Sequence, residues 1–393
     1  MILRLCHTRK GMVIDTITLQ IKGFEIDKKY LGRFQFLPSS KQSPDRYVFN
    51  QAKNSPDYTP NITIRMIKKI DGSYYTESIE IQFSAPKVFY GTNYFGISEK
   101  DFEKLTELLE EKLEQIFEGK VITKNLLRFA DIKNLAFAYN FILSDYPDLI
   151  SFLKLIPFSS VGKRYKKAKH TYYTEQDEFG FCGRLYNKQI SFKLYGKGVE
   201  TINNATTTQE LDVKRRIKNK ELPFNVLRIE ITFQHRTPLK KHLATLTDKN
   251  DKRERSFYEV FSNNLAQKIL QKSFDEIMNE LDITALDLPI YSMDECFGIC
   301  QRAGFSQYDA YALMGRSLMV RQAGALQLKL TSDNYYDRRI RSETDKRLNK
   351  ILELHPLPSF EFKKIIEECR KQLQEFKVMK PEDFDKQDLA NLQ

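Results

Sequence analysis

A tyrosine at the end of a short apolar strand, followed at once by a glycine and a lysine, is the feature of this chain with the clearest chemical potential. These residues are Tyr195 and Lys197, and about thirty residues later the apolar stretch 226–233 contains Arg228 and Glu230. A phenol has a pKa of about 10, so as a nucleophile it needs nearby positive charge or a metal ion. A phenol, two cations and a carboxylate on neighbouring strands are the groups needed to break a DNA phosphodiester covalently.

The neighbours of Tyr195 favour this chemical use over a structural one. A tyrosine in a strand usually packs its ring and donates its hydroxyl to a nearby acceptor. Here Lys193 and Lys197 flank the tyrosine, and Gly196 and Gly198 follow it. Glycine allows a nucleic-acid backbone to approach closely because it has no Cβ. The pattern therefore favours Tyr195 as a nucleophile, with the two lysines supplying positive charge.

Arg228 and Glu230 lie two residues apart, so both side chains point to the same face of their strand. A simple cross-strand ion pair explains them equally well. In the functional interpretation, Glu230 binds a divalent cation and Arg228 binds a phosphate. Asp15, in the first strand, is a candidate second carboxylate, with a capping or turn role as the alternative. His170 is a candidate ligand or proton carrier, although a lone histidine is more often neither.

A run of cations interleaved with one tyrosine precedes His170. Such a run is usually a solvated loop, but this mixture also suits phosphate contacts combined with base stacking. The predicted DNA contacts are Lys163, Arg164, Tyr165, Lys166, Lys167 and, from the following strand, Lys193.

The composition indicates a polyanionic partner, with an anionic membrane surface or solubility alone as the alternatives, and it indicates a reducing compartment. The chain has 393 residues, a net charge of +11 and a pI near 9.1, together with 20 tyrosines and 28 phenylalanines. Positive charge mixed with aromatic residues suits unstacked bases better than a plain duplex surface. The cysteines show no paired spacing, and no apolar run approaches the roughly 18 residues of a membrane span. The first residues lack a signal-peptide core, so we predict a cytoplasmic protein without membrane contact.

The first part of the chain mixes strands with helices and predicts an α+β fold. Ser98, with Asp101 three residues later, predicts a capping box that begins an amphipathic helix. The predicted strands are 13–22, 62–70, 74–83, a stretch near 135–139, 171–174, 180–186, 189–195 and 226–233.

From residue 238 onward nearly every segment has helical spacing, including a long predicted helix at 256–281. This change predicts an all-α second domain. The predicted units are an α+β domain at 12–245, a helical domain at 255–378 and a polar tail at 379–393, with Met1 and Met12 both candidate starts.

These features match a known family. The chain resembles the replication initiators of filamentous phages and related plasmids, the gene II/X family of rolling-circle initiators, over roughly residues 12–350. The resemblance is carried by residues 13–19, 83–93, 194–197 and 227–230, and it is strongest in the last two stretches.

The resemblance implies an endonuclease that nicks one strand at a replication origin. Tyr195 would attack the scissile phosphate, become joined to the 5′ phosphate and free a 3′-OH primer, and the reverse reaction would close the circle. Mg²⁺ or Mn²⁺ would polarise the phosphate, and Lys197 and Arg228 would stabilise its charge. The implied fold is a ferredoxin-like antiparallel sheet followed by the helical domain.

The implied partners are origin DNA, both duplex and single-stranded, host helicase and polymerase, and further copies of the initiator in the bacterial host cell.

One departure from the family pattern concerns the metal site. Well-known members of the wider class of tyrosine-dependent nicking enzymes carry a His-hydrophobic-His motif, and the five histidines of this chain do not have that spacing. Metal ligation must then rest on Glu230 first and Asp15 second, with His170 as a third candidate.

Two other interpretations remain open. A non-catalytic protein of the same fold that binds single-stranded DNA or regulates replication would use the same basic and aromatic residues, and it would tolerate Tyr195→Phe. A tyrosine recombinase would use a metal-free cluster of arginine and histidine around its tyrosine. No such cluster is visible in the sequence, and sensitivity to EDTA would separate that interpretation from the others.

Overall fold

The computed structural model describes a central sheet and the helices that pack on it. The described residues are 14–38, 45–52, 55–71, 73–143, 149, 153, 166–167, 182–187, 189–233, 237–240, 243, 255–280, 297–298, 301, 304, 306–308, 311 and 361–385.

Within these residues, ten strands form one antiparallel sheet in the order β2-β3-β4-β5-β1-β6-β10-β9-β8-β7. The strands are β1 (Ile14–Lys22), β2 (Gln35–Leu37), β3 (Asp45–Phe49), β4 (Asn61–Lys68), β5 (Tyr74–Ser84), β6 (Asp131–Ile142), β7 (Lys166–Lys167), β8 (Cys182–Tyr186), β9 (Ile190–Gly196) and β10 (Val226–Phe233).

The described α-helices lie between β5 and β6, between β9 and β10, and after β10. They are α1 (Ala85–Tyr90), α2 (Phe102–Phe117), α3 (Lys124–Phe129), α4 (Lys197–Asn204), α5 (Thr208–Lys218), α6 (Phe257–Val260), α7 (Asn263–Glu280), α8 (Glu361–Glu375) and α9 (Glu382–Asp385). Two 3₁₀ turns, Lys28–Leu31 and Glu99–Asp101, accompany these helices.

The first strand of the chain lies near the middle of the sheet. β1 pairs with β5 on one side and β6 on the other, so β5, α1 to α3 and β6 form a split β–α–β unit about β1. Such split units are the building blocks of ferredoxin-like folds. β9 and β10, in contrast, are antiparallel neighbours joined by α4 and α5. The predicted α+β class is confirmed.

Local sequence signals explain where the second helix begins. The Ser98 amide donates to Asp101 Oδ2 at 2.6 Å, and the two residues form the predicted capping box ahead of α2. The single helix predicted for 256–281 is instead two, α6 and α7. Phe257 and Phe261 both pack on Phe102, and the helix is interrupted at Phe261 and Ser262.

One face of the sheet is apolar and is covered by helices. Alternate residues of the central strands, such as Phe83 and Phe141, point to this face and form part of the main core. Phe83 contacts Phe257 of α6, and Phe141 contacts Phe274 of α7. The C-terminal helices therefore share a core with the sheet, while the predicted domain bounds stay a prediction.

The opposite face is polar, apart from a second apolar cluster beside the start of β10. This cluster joins the segment after α1, helix α5, Val226 and the C-terminal residues Met379 and Phe384. The Gly96 amide donates to the Met379 carbonyl at 2.9 Å, which fixes the C-terminal segment there. The polar face next to this cluster carries the residues singled out in the sequence.

Candidate active site

Tyr195, Arg228 and Glu230 lie together on adjacent strands. In the register of β9 and β10, Arg228 is opposite Tyr195, and Glu230 is opposite Lys193. Residues opposite each other in an antiparallel pair, and residues two apart along a strand, share a face. All four side chains therefore meet on the polar face.

Glu230 connects the other three groups. The Tyr195 hydroxyl donates a hydrogen bond to Glu230 Oε1, and Arg228 Nε lies 3.1 Å from the same oxygen. Lys193 Nζ lies 3.2 Å from Oε2. The carboxylate thus holds the phenol in one orientation, with a cation beside each of its oxygens.

Arg228 is fully buried at 0% exposure and contacts four elements of the fold. Its Nη2 lies 2.7 Å from Asp15 Oδ1, and its Nη1 donates to the Asn93 carbonyl at 3.0 Å and to Asn140 Oδ1 at 2.9 Å. Burial alone would lower the pKa of Arg228, but the charges of Asp15, Tyr195 and Glu230 raise it above its ordinary value. The guanidinium therefore stays charged.

Asp15 reaches this cluster through an irregularity in β1. The pairing of β1 with β6 shifts register between Ile14 and Ile17, so the residues between them are released from regular alternation. Bulges of this kind re-aim side chains. Asp15 is buried, and its Oδ1 accepts a hydrogen bond from the side-chain Nδ2 of Asn93 at 3.3 Å. The predicted second carboxylate is therefore in the cluster.

Electrostatics keeps Glu230 ionised. Burial would raise its pKa, but the positive charges of Arg228 and Lys193 and the hydrogen bond from Tyr195 outweigh it and lower the pKa to about 2. A carboxylate with so low a pKa is a good hydrogen-bond acceptor and a weak base.

Lys197 is buried, whereas a cation that binds a phosphate must be accessible to it. It is 1% exposed at the first turn of α4, with its Nζ 2.7 Å from Asn93 Oδ1 and 2.5 Å from Glu200 Oε2. Burial lowers its pKa, and the charge of Glu200 acts in the opposite direction. Lys197 therefore ties α4 to the segment that supports Arg228. The half-exposed cation beside Tyr195 is Lys193.

Gly198 is a glycine because of chain packing. A Cβ at this position would lie 2.1 Å from the carbonyl oxygen of Phe224. The interpretation that Gly198 makes room for a nucleic-acid backbone is therefore wrong, since its close neighbour is the segment before β10.

Much of the basic run lies outside the described residues. Lys163, Arg164, Tyr165 and His170 are not described, and their predicted roles stay predictions. Lys166 and Lys167 form β7, which pairs with β8 at the edge of the sheet, two strands from β9. The backbone of these two lysines is thus in the same sheet as Tyr195.

As they lie, the described residues do not fit a divalent cation. Among them, no three side chains of the His, Cys, Asp and Glu types are grouped closely enough to hold one. The guanidinium of Arg228 lies between Asp15 and Glu230, where a metal ion would have to bind both carboxylates. These carboxylates are committed to Arg228 and Lys193.

Two residues of the cluster were missed by the sequence interpretation. Asn93 and Asn140 supply oxygens to Arg228, and Asn140 also donates to the Tyr94 carbonyl at 2.7 Å. The sequence offered an indication for each residue. Asn93 is the last residue of the stretch 83–93 that carries the family resemblance, and Asn140 is a polar residue within an apolar strand. A polar side chain within an apolar strand needs hydrogen-bond partners.

Comparison with known proteins places the chain among replication-associated proteins. Residues 45–252, more than half of the chain, match the family model described as the N-terminal region of the replication-associated gene 2 protein. The chain belongs to this family, and the predicted membership is confirmed. Tyr195, Arg228 and Glu230 lie within the match, and Asp15 lies before it.

Other comparisons add little. No curated protein sequence matches the chain. A solved structure of a rolling circle replication initiator protein from Geobacillus stearothermophilus is 12% identical and covers 68% of this chain and 86% of that chain, at a TM-score of 0.28. A similarity this weak carries no argument about the fold. In the part of the chain that is described, no helix is both long and apolar enough to cross a membrane.

Proposed function

We propose that this protein initiates rolling-circle replication by nicking one strand of origin DNA through Tyr195. The observation that carries the proposal is the hydrogen bond from the Tyr195 hydroxyl to Glu230, with Arg228 and Lys193 on the same carboxylate. A phenol oriented in this way beside cations is prepared for attack on a phosphate. Membership of a replication-associated family supports the same role.

In the proposed reaction, Tyr195 Oη forms a bond to the scissile phosphorus as the bond from phosphorus to O3′ breaks. The products are a 5′-phosphotyrosyl link and a 3′ oxygen, which takes a proton from solvent to become the free 3′-OH. Because the pKa of Glu230 is about 2, this carboxylate cannot generate a free phenolate in advance. It orients the hydroxyl and accepts its proton only as attack proceeds.

Lys193 is the cation proposed to meet the phosphate. Its side chain is 34% exposed, whereas Arg228 is fully buried. Positive charge placed where the transition state gains negative charge stabilises it directly. Arg228 then acts as a positioning residue through Glu230. Tyr195 itself is 3% exposed, so DNA reaches it only after the groups that cover it move.

The test is a nicking assay on a supercoiled plasmid that carries the element's own origin, resolved on a denaturing gel. Wild type is expected to yield a protein-linked 5′ end, and Tyr195→Phe is expected to yield none while DNA binding stays within about twofold. Tyr139→Phe is the matched control, because Tyr139 lies on the apolar face and donates to the Lys377 carbonyl at 2.6 Å. Nicking that survives in Tyr195→Phe would move the nucleophile to another tyrosine, such as Tyr186.

The requirement for Mg²⁺ or Mn²⁺ stays a prediction from the family resemblance. Nicking is expected with either ion and to be lost in EDTA. Since the described carboxylates do not fit the ion, such a loss would indicate ligands from DNA or from residues such as His170. Full nicking in EDTA would contradict the prediction. Contacts with host helicase and polymerase and self-association at the origin also stay predictions.

A non-catalytic DNA-binding role is the second candidate. The observation in its favour is that the cluster around Tyr195 is closed, with its charges paired to one another. If neither wild type nor Tyr195→Phe nicks the origin and both bind single-stranded DNA tightly, this role replaces the nuclease.

A further inference from the structure

We propose that the exposed face of α5, together with Lys220, binds the phosphate backbone of duplex DNA beside the nick site. The proposal rests on the proposed function for the presence of origin DNA, and it adds a binding surface separate from the Tyr195 cluster. We call this surface the α5 stripe, and its cations are Lys214, Arg215, Lys218 and Lys220.

Helical spacing places the cations of α5 on one side. Lys218 is four residues after Lys214 and three after Arg215, so the three share one side of the helix, with Arg215 and Lys218 exposed and Lys214 half-buried. Val213 and Ile217 are buried on the other side in the second apolar cluster. The orientation of the stripe toward solvent is therefore fixed by packing.

The charges of the stripe are largely uncompensated. Lys214, Lys218 and Lys220 have no ion-pair partner among the residues that the structure describes. Glu210 pairs with Lys87 at 2.7 Å, outside the stripe. Within the stripe only Arg215 is paired among the described residues, with Asp212 at 2.7 Å and Glu221 at 3.8 Å. A set of free cations on a rigid helix is suited to a polyanion.

The backbone of Lys220 supplies an independent observation. This residue has a φ of +63°, the left-handed conformation in which helices usually end with glycine. Its amide donates to the Ile217 carbonyl at 3.0 Å, so the turn itself is a normal helix end. A lysine here is strained where glycine would not be, and the strained residue brings a cation to the end of the stripe.

The stripe is rigidly connected to the Tyr195 cluster. α4 and α5 form the link between β9, which carries Tyr195, and β10, which carries Arg228. At the start of α5, Thr207 Oγ1 donates to the Gly91 carbonyl at 3.2 Å. Two residues after Gly91, the Asn93 carbonyl accepts a hydrogen bond from Arg228 Nη1 at 3.0 Å. DNA held on the stripe is thus held at a fixed position relative to Tyr195.

Duplex DNA fits the stripe better than a single strand. Residues 208–218 contain no aromatic side chain, whereas single-strand surfaces stack bases on aromatic rings. Backbone contacts by lysine and arginine position a duplex without reading its sequence. The stripe therefore serves to anchor the duplex next to the nick.

The experiment measures binding of a labelled origin duplex by fluorescence anisotropy between about 50 and 200 mM salt. The stripe variant combines Lys214→Ala, Lys218→Ala and Lys220→Gly. The control variant removes three exposed lysines from α7 and α8, which cover the apolar face: Lys268→Ala, Lys272→Ala and Lys364→Ala. All proteins carry Tyr195→Phe, so that binding is measured without cleavage.

Each lost phosphate contact is expected to reduce the magnitude of the slope of log K against log salt by about 0.9. The slope of the stripe variant, which lacks three cations, should therefore be smaller by about two to three. The control should keep the slope of its parent. A stripe variant that also keeps the parent slope overturns the proposal, as does a change confined to a single-stranded probe of the same sequence. Thermal unfolding of the stripe variant at no lower temperature than the parent excludes misfolding as the cause.

The two proposals fail separately. If wild type does not nick but the stripe variant has the reduced salt slope, the duplex-binding proposal is supported and the nuclease proposal is contradicted. If wild type nicks and the stripe variant keeps the salt slope of its parent, the nuclease proposal is supported and the duplex-binding proposal is contradicted.

Discussion

At the level of single residues, the site depends on one buried guanidinium. Arg228 lies between Asp15 and Glu230 and receives oxygens from Asn93 and Asn140. Its contribution to any reaction of Tyr195 passes through Glu230, which it fixes in place. Removing one partner of a buried ion pair leaves the other charge uncompensated, which is far more costly than losing an exposed pair.

Arg228→Met is therefore expected to lower the free energy of unfolding by about 3–5 kcal/mol. Lys193→Met is the matched control, because Lys193 binds the same carboxylate from a half-exposed position and should cost about 1 kcal/mol or less. Urea unfolding of both variants measures the difference. Equal effects of the two substitutions would contradict the importance assigned to burial.

Glu230 gives the fold an acid-sensitive element. Its pKa falls from an ordinary 4.5 to about 2 on folding, because Arg228 and Lys193 outweigh the effect of burial. A group whose pKa is depressed by folding stabilises the protein above its unfolded pKa, and this stability is lost as pH falls. Between pH 4.5 and 2, wild type should lose more stability than Glu230→Gln. Parallel pH profiles of unfolding for the two proteins would show that the pKa is not depressed.

The sequence was sufficient for part of this cluster. Arg228 and Glu230 could be placed on one face because strand alternation and the spacing of two residues are local properties. Placing Tyr195 beside them required the further assumption that consecutive strands become neighbours. The burial of Lys197 and the contributions of Asn93 and Asn140 depend on which strands become neighbours, and no local pattern encodes that. For Asp15 two interpretations stayed open, because its orientation depends on a bulge.

At the level of helices and strands, the junction between β9 and α4 is tightly constrained. Tyr195 is followed within three residues by Gly198, whose backbone lies against the Phe224 carbonyl. A side chain there must displace either the start of α4 or the segment before β10, and both adjoin the site. The hairpin of helices between β9 and β10 thus fixes where Tyr195 can be.

Gly198→Ala is expected to destabilise the fold by roughly 1–3 kcal/mol, the usual effect of overpacking, and to reduce nicking. Gly32→Ala is the control, because a Cβ at Gly32 meets nothing within 4 Å and the φ of −58° suits alanine. That control should be neutral or up to about 1 kcal/mol more stable. Thermal unfolding measures the stability of both variants. An unchanged unfolding temperature for Gly198→Ala would mean that the backbone at Phe224 moves away from the new Cβ at little energetic cost.

The helices and strands also show which sequence signals are dependable. The capping box at Ser98 and the strand predicted at 13–22 rest on local signals, and the structure has both, with β1 at Ile14–Lys22. The predicted helix 256–281 is divided at Phe261 and Ser262, between α6 and α7. Helical periodicity continues through the break, so the sequence pattern does not reveal it.

Across the molecule as a whole, the sheet and the C-terminal helices share one core. Tyr139 of β6 stacks on Phe376 and donates to the Lys377 carbonyl, and Gln372 of α8 bonds the backbone of Ile142. The composition change near residue 240 predicts two domains, but the packing joins residues from both sides of that point. The two parts are expected to unfold together.

A single calorimetric transition, with equal calorimetric and van't Hoff enthalpies, is expected for the full chain. Cutting the chain after residue 360 should lower the unfolding temperature of the sheet, because the apolar face that contacts α8 becomes exposed. Two separate transitions, with the sheet unaffected by the cut, would support independent domains.

The position of β1 at the middle of the sheet has a consequence for how the protein is made. More than half of the chain separates Asp15 from Arg228, and the two meet only when β1, β6 and β10 have all paired. Contacts between residues so distant in sequence form slowly, because a long loop must close first. During synthesis the chain therefore carries Tyr195 before it can hold that residue in place, and the site appears only when the last of the three strands has folded.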